Sequence, residues 1–377
     1  MLDVLNLITF LGAVQGIFFG LLLLRLSGGN RWANRMLALF LVVFSVSMLG
    51  IVAYSSQWVL RAPHLALLHA PFAAATAAPM YLYILALTRK QFRLRWRHAL
   101  LFLPFLLVLL WFLPFYCLPA ASKHAILLAS YTALPADWKA SFLFSLLCNC
   151  AGLVATYVLI LRHERVIREV YSSPKGHTLL WARHFFYAGA ATFALCALVS
   201  LFSINWADPV SNLLFSAIIY VFGYRALRQP EIFTDISEAA MPATPDVPLI
   251  RRGAKYEKSG LSDARAQALL DQLNRLMTAG KIYLDPNLNV QQLADRLGAP
   301  PHQVSQLLNQ FQGETFSDFV NRYRVEHFKQ AVTDPANAHF SVLALAFDSG
   351  FNSKAAFNAV FKKMTGQTPT DFKSAQP

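Results

Sequence analysis

The sequence predicts an all-α chain in two parts, a seven-helix transmembrane bundle followed by a cytoplasmic all-α domain with two helix-turn-helix units. Three observations predict it. Of 377 residues, 56% are hydrophobic and 14% charged, too apolar for an ordinary soluble protein and too charged for one that is apolar throughout. The charge is uneven: up to Arg228 there are 18 Lys and Arg against 5 Asp and Glu, and beyond it 15 against 15. Finally, one helical pattern occurs twice in the polar part. The boundaries that follow are 1–228 for the bundle, 229–260 for a linker and 261–377 for the second domain.

Seven apolar runs make up the first part: Val4 to Leu24, Met36 to Tyr54, Leu65 to Leu87, Ala99 to Leu118, Ala140 to Leu161, Phe185 to Ile204, and the shorter Val210 to Tyr224. At about 1.5 Å per residue, roughly 20 residues cover the ~30 Å hydrocarbon core. Ala125 to Leu134 is too short to span and reads as a loop segment at the interface. The start, Met1-Leu2-Asp3, lacks a basic region, so the first run reads as a retained span and not a cleaved signal peptide.

Orientation follows from the basic residues. Alternate loops hold fifteen Lys and Arg, in the groups Arg25 to Arg35, Arg89 to Arg97, Arg162 to Arg183 and Arg225 to Arg228; the other loops hold only Arg61, Lys123 and Lys139. The positive-inside rule then puts the N-terminus outside and the C-terminal domain in the cytoplasm, with the chain crossing the membrane several times. Six of the seven tryptophans (Trp32, Trp58, Trp96, Trp138, Trp181, Trp206) stand near run ends, where an indole settles between acyl chain and headgroup. The net charge of +13 thus reports loops facing a membrane surface and is no sign of nucleic acid.

No Asp, Glu, Lys or Arg lies near the middle of any run, and no nucleophile, nucleotide or metal motif stands out. That argues against a transporter or a membrane enzyme with a regulatory appendage, and no catalytic residue, metal ligand or cofactor is expected. Cys117, Cys148, Cys150 and Cys196 lack metal-site spacing and read as packing residues. Gln15, His69 and Asn149 either line a ligand pocket or hydrogen-bond between helices, the second reading being preferred, and Pro71, Ala73 to Ala75, Ala77, Ala78 and Pro79 are expected to kink the third span and let helices approach closely.

The linker carries Pro230, Pro242, Pro245 and Pro248, then Arg251, Arg252, Lys255 and Lys258, with no periodic apolar face; it reads as a tether. Beyond it Leu269, Leu270, Leu273, Leu276 and Met277 share one helix face. Val290, Leu293, Ala294 and Leu297 form a second helix stopped by Gly298, and Pro300 and Pro301 start a third that buries Val304, Leu307, Leu308 and Phe311. Adding 52 maps Val290, Leu293, Ala294 and Gly298 onto Val342, Leu345, Ala346 and Gly350; adding 53 maps Val304, Leu307, Leu308 and Phe311 onto Phe357, Val360, Phe361 and Met364. Phe316, Phe319, Val320, Tyr323 and Phe328 form a connector that holds the two copies in fixed relation, as two successive major-groove faces require.

Three stretches resemble the AraC family of transcription regulators: Asn321-Arg322-Tyr323-Arg324-Val325, Ala344-Leu345-Ala346-Phe347-Asp348-Ser349-Gly350-Phe351-Asn352-Ser353, and Phe361-Lys362-Lys363-Met364-Thr365-Gly366-Gln367-Thr368-Pro369. The resemblance covers roughly the last 110 residues and implies sequence-specific binding of double-stranded DNA. It also implies that Gly366, Thr368 and Pro369 end the second recognition helix and cap a last short one. A membrane bundle stands where members of that family often carry a soluble sugar-binding domain. The chain thus resembles the family's membrane-spanning branch, for which Tyr224-Arg225-Ala226-Leu227-Arg228-Gln229-Pro230 followed by a tether is a familiar exit.

The groove-facing residues follow from helix geometry. Opposite the buried face of the third helix, at about 100° per residue, stand His302, Gln306 and Asn309, with Gln303 and Gln310 on a flank. On the second recognition helix Ala355, Ala359 and Lys362 point outward, flanked by Asn358 and Lys363, while Asn352, Ser353 and Lys354 lead into it. Polar side chains make the first unit the reader of bases, and alanines with lysines make the second a positioner on phosphate. The expected partners are DNA, membrane lipid, a second copy of the chain, and a small-molecule or envelope signal. A one-component sensor and a regulator merely anchored by its spans both satisfy this pattern. Topology is directly testable: a reporter active only in the periplasm should work when fused after Trp58, Trp138 or Trp206 and fail after Arg95, Lys175 or Arg228. Activity from the Arg228 fusion would put the second domain on the wrong side of the membrane.

Overall fold

A computed structural model of the chain describes residues 2–25, 30–89, 92–172, 180–202 and 263–375, with isolated positions between 214 and 221. The linker 229–260 lies outside the described residues, and so does the seventh expected span, apart from those positions. Every named element is a helix; among the described residues the one strand-like feature is an isolated antiparallel bridge between Tyr171 and Asn289. The chain forms two compact units: one of 1–161 with 179–232, the other of 162–178 with 233–377.

The first unit opens with α1 (Leu2–Arg25) and α2 (Arg31–Ser55). Asn30 caps α2 by accepting from the backbone N–H groups of Trp32 and Ala33, and its Nδ2 donates to Ala86 O at 2.8 Å. The third run is divided into α3 (Ala70–Ala74) and α4 (Ala77–Thr88), so the kink expected from its prolines and alanines is present as a break. The fourth run is likewise interrupted: a 3-10 turn over Trp96–Phe102 leads into α5 (Leu103–Trp111) and α6 (Leu113–Tyr116), each with proline in its first turn. α7 (Ala120–Ser130) covers much of the segment expected to be a loop; forming a helix lets its backbone groups satisfy one another. α8 (Ala136–Val170) and α9 (Leu180–Phe202) follow.

Among the described residues, four stretches, Val4–Arg25, Arg31–Ser55, Pro63–Thr88 and Ala136–Val170, are long and apolar enough to cross a membrane. Leu37, Leu41, Phe44, Tyr83 and Ile84 form the centre of the unit's core, while Leu7, Leu11, Val14, Phe18 and Leu21 of α1 and Phe142, Leu143, Leu147 and Val154 of α8 remain exposed. At about 25 cal/mol per Å² of apolar surface, this display is unfavourable in water and neutral against lipid chains. Cys117 and Cys150 are exposed on this unit, so the packing role expected of them is not what the fold provides.

Asn149 behaves as expected of an interhelical polar group. It is buried, its Oδ1 accepts from Ala77 N–H at 3.0 Å, and its Nδ2 donates to Ala73 O at 2.9 Å and Ser145 O at 2.8 Å. One side chain of α8 thus supplies the backbone groups freed by the break between α3 and α4. Gly152, one turn on, has no room for a side chain, since an added Cβ would run into Ala77. Asn149→Leu strands those groups in an apolar setting, at a cost of about 1–3 kcal/mol each. Thermal unfolding of the full chain in detergent should show a clearly lowered Tm; an unchanged Tm would mean the break is held by something else.

The second unit contains α10 (Asp263–Thr278), α11 (Val290–Leu297), α12 (Pro301–Leu307), α13 (Phe316–Thr333), α14 (Val342–Asp348), α15 (Lys354–Thr365) and α16 (Pro369–Ser374). It also includes residues 162–172, the end of α8 and the two residues after it.

Candidate nucleic-acid interface

The two helix pairs, α11 with α12 and α14 with α15, are punctuated as their sequences dictate. Asn289 and Gln292 form a reciprocal capping box at the start of α11, and Gly298 ends it with a left-handed φ of 59°. Ser341 caps α14 and Ser353 caps α15, each accepting from the N–H three residues on. Gly366 closes α15, and Thr368 with Pro369 opens α16, as the resemblance implied.

α13 joins the two pairs because its two halves lie in different cores. Phe316, Phe319 and Val320 pack with Val290, Leu293, Val304 and Leu307; Val325 and Phe328 pack with Leu345, Phe351, Phe357 and Phe361. Between them stands Arg324, fully buried. Its Nε donates to Tyr283 O at 2.7 Å, its Nη1 to Asn321 Oδ1 at 3.3 Å, and its Nη2 to Asp285 O at 2.7 Å and Ser172 Oγ at 3.1 Å. Four of its five N–H donors are used, and the guanidinium lies 5.9 Å from the ring of Phe351 in the second pair. Burial lowers its pKa to about 10, with the charge of Asp285 opposing, so it remains protonated at neutral pH. Neither Arg324 nor Tyr283 was singled out by helix periodicity, which has no means of marking a buried charge.

Gly350 brings the second pair against this knot. Its φ is +90°, and an added Cβ would lie 2.5 Å from Tyr283 O, 2.9 Å from Leu284 Cα and 3.0 Å from Arg324 Nε. Both the backbone conformation and the space require glycine there.

Most of the side chains expected to face the groove are exposed. His302 on α12 and Lys354, Ala355, Asn358, Ala359, Lys362 and Lys363 on α15 are exposed, as is Asn352 before α15. Ser353 is buried and serves as the cap of α15. Lys363 reaches across to α13, pairing with Asp318 Oδ1 at 2.6 Å, so it ties α15 to the connector. Gln303 is half-buried, and Asn309 Nδ2 donates back to Ser305 O at 2.8 Å.

Two expectations for α12 are corrected. Gln306, expected to point outward, is 4% exposed, and its Nε2 donates to Gln310 Oε1 at 3.0 Å, which lays the side chain along the helix. Phe311, expected in the core, is 43% exposed. The backbone over Leu308–Gln312 is a π-turn, so a calculation at α-helical pitch loses phase there, and Phe311 is carried off the buried face that ends at Leu308.

Residues 293–375 match a family of helix-turn-helix domains, HTH_18, which is of the AraC type. An uncharacterized transcriptional regulatory protein of Bacillus subtilis, YesN, is 35% identical over 121 residues, 32% of this chain and 32% of its own length. An uncharacterized HTH-type transcriptional regulator of Staphylococcus aureus is 26% identical over 107 residues, 28% of this chain and 14% of its own. The chain therefore spans a third or less of the length of these relatives. A solved structure from Listeria innocua, of unknown function, is 26% identical and covers 28% of this chain and 95% of its own, with a TM-score of 0.25.

Gly350→Val forces a β-branched residue into a left-handed conformation, roughly 1–2 kcal/mol, and drives its Cβ into Tyr283 O. Hydrogen exchange in the full chain should quicken over Val342–Thr365; protection equal to the wild type would mean that this turn tolerates a side chain.

Proposed function

We propose, from the premise that this chain ends in an AraC-type helix-turn-helix domain, that the protein is a membrane-bound, sequence-specific DNA-binding transcription regulator acting as a one-component sensor. The observation that carries the DNA-binding part is the pair of helix-turn-helix units held by α13 around Arg324, with His302 exposed on one recognition helix and Lys354, Asn358 and Lys362 on the other. The membrane part rests on the four long apolar helices and on the fifteen-to-three division of basic residues, which supports a bacterial inner membrane location, an outside N-terminus and a cytoplasmic DNA-binding domain. A signal arriving at the bilayer or its outer face would alter the spans, and through them the affinity or pairing of the DNA-binding domain. Double-stranded DNA, membrane lipid, a second copy of the chain and an envelope or small-molecule signal are the partners of this reading, which assigns the protein no catalysis.

With Gln306 folded onto Gln310 and Asn309 onto Ser305, base reading by the first unit falls mainly to His302, while Lys354 and Lys362 meet phosphate. The test maps sites bound by the full chain across the genome and titrates that chain, in detergent, against single-base variants of a mapped site at two salt concentrations. His302→Ala should change base preference in one half of the site. Lys362→Ala should weaken all variants alike and lower the salt slope by about one. Absence of enriched sites would overturn the regulator reading, and the reverse pattern of losses would overturn the division of labour.

A further inference from the structure

Residues Arg162–Ser172 precede the linker by more than fifty positions, yet they are built into the unit that carries the helix-turn-helix pairs. Ile167, Val170 and Tyr171 are buried in the same core as Val290, Leu293, Phe316 and Phe319. Just past the helix, Tyr171 forms its bridge with Asn289, the residue that caps α11.

Ser172 is the polar end of this attachment. Its N–H donates to Leu288 O at 3.2 Å and its Oγ to the same oxygen at 2.6 Å. Its carbonyl accepts from Ser317 Oγ at 3.3 Å and Asn321 Nδ2 at 3.2 Å, and its Oγ accepts from Arg324 Nη2 at 3.1 Å. A single residue thus touches the turn that starts the first helix-turn-helix pair, the connector α13, and the guanidinium against which Gly350 of the second pair is packed.

We propose that Arg162–Ser172 is a docking segment for the DNA-binding unit, and that Ser172 seated between Leu288 and Arg324 holds that unit in its DNA-competent form. The docking surface is made by the polar face of α13 and the stretch from Tyr283 to Asn289, and its occupant is this chain's own α8 end. His302, Lys354 and Lys362 are not part of this surface, so the seated segment does not compete with DNA. It fixes the entry to α11 and the junction between the two pairs, the features that set the spacing of two recognition helices. Arg162–Val170 is the last part of α8, so a displacement of that helix along its axis is delivered to Ser172. Withdrawal takes an acceptor from a buried guanidinium and loosens the start of α11. The inference rests on the DNA-binding reading above, and it names the regulation of that same site.

The full chain in detergent micelles, wild type and variants, is titrated with a mixed-sequence DNA duplex at low salt while hydrogen exchange is followed over Val290–Leu297 and Phe316–Val325. Ser172→Ala removes the Oγ contacts, Ile167→Ala thins the apolar seat, and Arg168→Ala changes an exposed side chain of the same segment. The first two should quicken exchange at the start of α11 and weaken DNA binding by about tenfold, with Arg168→Ala matching the wild type. Quickened exchange with unchanged DNA affinity would reduce the segment to a structural brace and overturn the proposal; tighter DNA binding would overturn it by making the segment inhibitory. Should Ile167→Ala fail to fold, Ser172→Ala alone decides between these outcomes. A wild-type chain that does not bind the duplex at all would sink the DNA-binding reading itself, an outcome separate from the rest.

Discussion

The second unit depends on one buried positive charge. A guanidinium withdrawn from water is costly unless nearly every N–H finds an acceptor, and Arg324 meets that condition only where three sequence-distant segments converge. Tyr283 and Asp285 supply backbone carbonyls, Ser172 a hydroxyl, and Asn321 an amide oxygen from the same helix one turn back. Satisfying this charge sets the position of the chain before the first helix-turn-helix pair. Gly350, against the same carbonyl of Tyr283, then brings in the second. Rigidity at this junction is what a double reader of the major groove needs, since two successive groove faces recur at a fixed spacing.

Around that junction the recognition helices are left with different chemistry. α15 presents lysines and methyl groups, suited to phosphate and to the apolar edge of thymine. Its Lys363 pairs with Asp318 of α13 at the surface, so part of its basic character is matched by a carboxylate of the same chain. α12 is short and gives way to a π-turn, and its amides bond along the helix, Gln306 to Gln310 and Asn309 to Ser305. Its outward chemistry is therefore narrower than its composition suggests.

The first unit follows a different rule. Its outward apolar side chains are costly in water, and its buried Asn149 serves the backbone at the division between α3 and α4. The small residues Ala77 and Gly152 meet where bulk would hold the helices apart.

The sequence by itself determined the helical class, the apolar runs, both helix-turn-helix pairs and the glycines that stop their helices, because these depend on local chemistry: periodicity of 3.6 and a glycine free to adopt positive φ. The exposure of α15 was legible for the same reason, since its faces follow from an unbroken α-helical pitch. Only the tertiary structure decided the rest. The π-turn at Leu308–Gln312 shifted the phase that placed Phe311 in the core, and Gln306 was claimed by a neighbour one turn on. The Lys363–Asp318 pair spans 45 positions, and the contact of Ser172 with Arg324 spans 152. No local pattern encodes such distances; the first pair meets because the fold brings α15 beside α13, and the second because a buried charge must find partners wherever they come within reach.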